Sequence, residues 1–202
     1  MNTEPDVIIV HSIPLPDDML QDVTGPLTAL GTDVSVEDLG PQAYAGIEWL
    51  VPTAIVVLIS KKYLDTMTQE TAKDHYQILK ASLSKLLKRT VGKEREIRIQ
   101  YITSKRQKLS AKQPGAVSIY LETRTDQLVK FVFEDNLDAL QHARCLDAIF
   151  DLIRNHNADY PQDTLTCVIS EAQLDASTAL LMRFDPILEQ WYLWVPRIGP
   201  AE

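Results

Sequence analysis

The sequence predicts an α/β fold: a mostly parallel, doubly wound sheet extended by an antiparallel, β-rich C-terminal half. Three observations carry this. Thr53 to Ile59 is a near-continuous apolar run rich in β-branched residues, which suits a strand covered on both faces; Ser60 and a long amphipathic pattern follow at once. Strand-like and helix-like segments alternate through the first hundred residues. After residue 115 the rhythm changes to paired strands around a turn signature.

Asp6 to Val10 reads as the first buried strand, ending in His11 and Ser12. Ile13-Pro14-Leu15-Pro16 is a stiff loop, because each proline fixes φ and pushes its predecessor toward extended geometry. Asp17 and Asp18 then open a helix to about Leu30, acids standing where the helix dipole favours them. Gly25-Pro26 predicts a kink or two short pieces, and Gly31 the end. Thr32 to Glu37 alternates as a strand, with Val34 and Val36 on one face. A turn at Asp38 to Pro41 and a short helix over Gln42 to Leu50 lead to the Thr53–Ile59 strand. Lys61 to Arg89 is the longest helical pattern, with a break expected near Thr66; Ala72, Tyr76, Leu79, Leu83, Leu86 and Leu87 form one stripe. Glu96 to Ile102 alternates as a fourth strand.

Ser104 to Gly115 is a polar, basic loop, and the chain divides there into a 1–103 α/β half and a 104–202 extension of the same sheet. Val117 to Thr123 and Gln127 to Glu134 flank Arg124-Thr125-Asp126 as a hairpin. Asp135 or Asn136 caps a helix to about Asn155, with Leu146, Ile149, Phe150 and Ile153 inward and Arg144, Asp147, Asp151 and Arg154 outward. Leu165 to Ser170, Thr178 to Phe184 and Gln190 to Val195 read as closing strands, with a turn at Asp185-Pro186. Trp191, Tyr192 and Trp194 put large groups on both faces of the last strand, which predicts cover on both sides or a contact surface on one.

The net charge of −8 conceals a segregation: residues 1–60 hold nine acids and no Lys or Arg, whereas residues 80–112 hold eleven Lys or Arg against two acids. Such blocks can dock on each other within one chain or between copies. No segment is long and apolar enough for a membrane span, and two cysteines make neither a disulfide framework nor a zinc set. A cytoplasmic setting without membrane partners is the expectation. The overall charge and a single aromatic, Tyr101, in the basic stretch argue against nucleic acid. Neither Gly-x-Gly-x-x-Gly nor Gly-x-x-x-x-Gly-Lys-Ser/Thr occurs, which excludes phosphate loops of those types.

The first half, with DVIIVHS, VEDLGP and IVVLISKKYL in that order, resembles the TIR (Toll/interleukin-1 receptor) domain family over residues 5–103; other flavodoxin-like folds share its rhythm. The resemblance implies a sheet of order 2-1-3-4 and either a self-associating signalling adaptor or an enzyme that cleaves NAD at the nicotinamide–ribose bond. Members of the enzymatic kind use a Glu in the helix after the third strand. Here Ser60, Tyr63 and Leu64 match that motif, its Trp-Cys pair is lacking, Ala72 stands at the Glu position, and Glu70 is the nearest carboxylate. Glycohydrolase chemistry needs a carboxylate beside the ribose, in a pocket at the strand ends. Glu70 is the catalytic candidate, and His11, Ser12, Asp38 and Ser60 are the ligand-binding candidates. The structural reading of the same residues has Ser12 and Ser60 capping helices, Asp38 closing an Asx-turn and Glu70 pairing with Lys73. His142 and Cys145, three apart on a helix, read as buried groups, with no metal set evident. The expectation is a non-catalytic interaction module with no cofactor and a protein partner, a second copy included; NAD as a substrate is the alternative.

Overall fold

The computed structural model describes residues 4–40, 53–66, 72–92, 95–97, 117–134, 137–172 and 179–194. The elements are β1 (Val7–His11), α1 (Asp17–Ala29), β2 (Val34–Asp38), β3 (Ile55–Ile59), α2 (Lys61–Thr66) and α3 (Ala72–Thr90). They continue as β4 (Val117–Glu122), β5 (Leu128–Val132), α4 (Ala139–Asp159), α5 (Thr164–Ala172), β6 (Leu180–Asp185) and β7 (Gln190–Leu193). Among the described residues, strands from both halves form one seven-stranded sheet, ordered β2-β1-β3-β4-β5-β6-β7.

This sheet is mixed rather than mostly parallel. β1–β2, β3–β4 and β5–β6 run parallel, while β1–β3, β4–β5 and β6–β7 run antiparallel. The decisive departure is β3, which lies beside β1 in the opposite direction, with Val7 opposite Ile59 and His11 opposite Ile55. The doubly wound expectation requires those two to be parallel. The 2-1-3 order holds, but the strand beside β3 is Val117–Glu122. Of the expected strand Glu96–Ile102, Glu96 and Ile97 form a bend and the rest lies outside the described residues, as does Gln42 to Leu50.

Other departures are local. α1 runs through Gly25-Pro26 without a break, and Gly31 ends it at φ +82, where the Thr32 N–H reaches the Leu27 carbonyl in a Schellman-type closure. The cap of α4 is Asp138, in a reciprocal capping box with Gln141. Thr164–Ala172 is a helix, not a strand. The hairpin around residues 124–126 and the two faces of α4 agree with the sequence reading, while the break expected near Thr66 borders residues outside the described ones.

One sheet face joins the buried stripes of the helices in a continuous core: Val7, Val57 and Phe131 meet Met19 and Leu27 of α1, Leu83 of α3 and Phe150 of α4. α1 packs on α3, and the segregated charges meet there. Arg89 holds Asp18 at 2.8 Å, Asp22 at 3.5 Å and Glu96 at 2.7 Å, and Lys85 lies 3.7 Å from Asp22. The acidic first sixty residues thus engage the basic block inside one chain.

On the opposite sheet face, Lys130 is 2% exposed and its ammonium stands 5.2 Å from the Tyr120 ring centre. Burial lowers its pKa to about 8. The unfolded chain therefore binds more protons between pH 8 and the ordinary lysine value of 10.5, and stability should rise as pH climbs through that window. Lys130→Met should remove this rise and stabilise the protein at pH 7 by about 2–3 kcal/mol. Urea titrations of both proteins at pH 7 and pH 9.5 check it; a variant that is less stable at pH 7 would refute it.

Candidate functional site

The antiparallel β1–β3 pairing separates the residues expected to share a pocket. His11, Ser12 and Asp38 lie at the C-terminal ends of β1 and β2, but Ser60 lies at the opposite sheet edge, a strand length or about 15 Å away. Glu70 lies outside the described residues. Each of the other four has a structural task. The His11 imidazole is buried and its Nδ1 donates to the Ile13 carbonyl at 2.9 Å, with the exposed Asp38 carboxylate 3.7 Å off. Asp38 accepts the Gly40 N–H at 2.8 Å, the Asx-turn, with Gly40 at φ +63. The Ser12 N–H and hydroxyl both turn to the Ala54 carbonyl, and α1 takes Pro16 as its N-cap residue. Ser60 caps α2, accepting the Tyr63 N–H at 3.2 Å.

Two buried groups with chemical potential are likewise committed. His142 is satisfied through Nε2 by the Glu134 carbonyl at 3.1 Å. Cys145 is fully buried, and burial, with the Glu134 charge adding to it, pushes its thiol far above the ordinary value, so it is no nucleophile. Arg144, beside it in sequence, points outward and pairs with Glu189. A second histidine, His156, forms an Asp–His pair with Asp163 at 3.0 Å, both inaccessible to solvent. Its other nitrogen accepts the Arg124 N–H at 3.4 Å, so no lone pair is left for a reacting proton. Among the described residues no group of three or more His, Cys, Asp or Glu is arranged to hold a metal, and no helix is long and apolar enough to cross a membrane.

What the fold does build is a cleft of about 530 Å³ between the end of α3 and the start of α4. The two helices pass each other antiparallel. Tyr76 meets Phe150 edge to face, their ring centres 4.7 Å apart, and Lys80 pairs with Asp147 one turn on. Beyond that point the facing positions are small. Ser84 on α3 and Ala139 and Ala143 on α4 cannot fill the space that larger side chains span lower down. Leu87, Val91 and Leu146 form apolar walls, and His142 stands beside Gly92, whose φ of +89 turns the chain away from α3. Leu140, 62% exposed, and the exposed Lys85, Lys88 and Asp138 stand at the mouth. Size and lining suit the insertion of a few apolar side chains with an acidic neighbour.

Of the cleft's apolar residues the sequence places Leu87 and Leu146 on the inward stripes of two helices and leaves Val91, Leu140, Ala139 and Ala143 unassigned. The available signal was the pair of small residues, Ala139 and Ala143, four apart at the start of α4. Comparison with known proteins adds nothing to this geometry: no protein-family model, curated protein or solved structure matches the chain.

Proposed function

We propose that the chain is a non-catalytic protein-interaction module, and that the α3–α4 cleft is its docking surface. The single observation that carries this is an open, apolar cleft that runs out to an exposed leucine, with Lys85, Lys88 and Asp138 at its rim. The one imidazole lining it is already hydrogen-bonded to a carbonyl. Such a site gives binding energy by burying apolar side chains and orientation through the rim charges. This reading keeps the interaction-module half of the TIR-like expectation and does not depend on parallel β1–β3 pairing.

The test uses fluorescent peptides carrying two adjacent large aliphatic residues between acidic ones. Binding followed by anisotropy should be saturable, and Ala143→Glu, which puts a like charge in the mouth, should weaken it by about tenfold or more. Absence of binding to any such peptide would sink the docking reading. Incubation with NAD decides the alternative: release of nicotinamide, lost in Glu70→Ala, would replace the interaction module by an NAD-cleaving enzyme.

A further inference from the structure

We propose that the cleft receives the β6–β7 turn of a second copy of the chain, giving a two-fold dimer; this rests on the cleft being a docking surface. The turn is Asp185-Pro186-Ile187-Leu188-Glu189. Ile187 is 88% exposed and Leu188 63%, the two most exposed large apolar side chains among the described residues. They are not on a loose loop. The Asp185 carboxylate accepts the N–H groups of Ile187 and Leu188 at 2.8 and 3.1 Å, and Pro186 fixes one backbone angle. Glu189 sits at φ +54, and Arg144 of α4 grips its carboxylate. A rigid turn that holds two aliphatic groups in water loses little freedom on binding, the preorganisation that favours an anchor.

Charge and placement select the occupant. The turn is flanked by Asp185 and Glu189, the latter held by Arg144, and the cleft mouth carries Lys85 and Lys88 against one acid, Asp138; with Lys85 near Asp22, Lys88 is the cation that faces the acidic-flanked anchor. Turn and cleft are neighbours on the surface. Leu140 lines the cleft, and Arg144, one helical turn later on the same face, holds the protein's own β6–β7 turn. The chain's own turn is thereby kept beside the cleft and out of it. An anchor and its hole side by side on one patch make that patch self-complementary, so one two-fold axis can seat both turns at once. The three exposed side chains Leu140, Ile187 and Leu188 would all be covered in such a contact.

Sedimentation of the full chain over a range of concentrations should show a monomer–dimer equilibrium. Because apolar groups carry the contact, it should survive about 0.5 M salt, where exposed charge pairs are screened. An Ile187→Asp/Leu188→Asp variant and an Ala143→Glu variant, all at exposed positions, should keep the wild-type circular dichroism. Each alone should dimerise about a hundredfold more weakly, because both anchors or both holes of the dimer are lost. Mixed, they should form a one-to-one heterodimer through the one intact turn-in-cleft contact. A wild-type chain that stays monomeric at millimolar concentration, a dimer unaffected by either variant, or a mixture that forms no heterodimer would each overturn the proposal. Aliphatic–acidic peptides tested on the Ile187→Asp/Leu188→Asp variant, whose cleft is intact, separate the two failures. If they bind while the wild type is monomeric, the cleft remains a docking site with another occupant; if nothing binds, both readings fall.

Discussion

Trp191→Ala is expected to cost about 3–5 kcal/mol of stability, the range for deleting a large buried aromatic, read as a lower urea midpoint with an unchanged slope. Trp191 lies on β7, the last strand of the sheet among the described residues, and its side chain anchors that strand to the core. It is 8% exposed and makes edge-to-face contacts with Phe131, Phe133 and Phe184 at 4.9, 5.6 and 5.5 Å between ring centres. Its indole N–H donates to the Cys145 carbonyl of α4 at 3.0 Å, tying β7 to the helix that lines the cleft. Trp191→Phe should recover more than half of the loss, since it keeps most of the ring contacts and gives up the hydrogen bond. A loss below about 1 kcal/mol for the alanine variant would mean that β7 is not held this way. β7 carries one end of the exposed turn, so loosening it should also weaken the turn-in-cleft contact proposed above.

Asp163→Ala is expected to destabilise by about 2–4 kcal/mol, the combined effect of a lost helix cap and a buried imidazole N–H left without its acceptor. One Asp163 oxygen accepts the Thr166 N–H and His156 Nδ1–H, both at 3.0 Å, and the other accepts the Thr166 hydroxyl at 2.6 Å. With the Arg124 N–H on His156, this joins the end of α4, the start of α5 and the β4–β5 turn. Burial pushes the Asp163 carboxyl up, but the hydrogen bonds from Thr166 and His156 outweigh it and hold the pKa below the ordinary 3.8. The sign follows: a depressed carboxylate contributes fully above the ordinary value and loses its contribution as pH falls through the folded one. The Asp163 contribution to the gap between wild type and Asp163→Ala should therefore shrink as pH falls below about 4. A gap that widens in acid would refute the assignment.

Much of the local structure was legible. The runs at Val7–His11 and Ile55–Ile59 announce buried strands by continuous β-branched, apolar character, while which face lies deeper appears only in the structure; the Leu79–Leu83–Leu86 stripe announces the face of α3. Thr164–Ala172 shows how such reading fails. Its β-branched residues suggest a strand, yet Leu165, Val168, Ile169 and Ala172, the groups turned to the core, recur at helical spacing, and Asp163 supplies the cap. The helical period was present and propensity overrode it.

Residue order alone was enough to say which segments are strands and helices in most cases, which side of most of them is buried, and how charge is divided along the chain. The direction of β3 against β1 emerged only in three dimensions. A five-residue strand with buried ends and centre looks the same read either way, so reversing Ile55–Ile59 still sets Ile55, Val57 and Ile59 beside Val7, Ile9 and His11. Side-chain alternation fixes a face and leaves a sense of travel open. That one reversal sends Ser60 to the far edge of the sheet, and the cleft takes shape instead where small residues on two helices fail to meet.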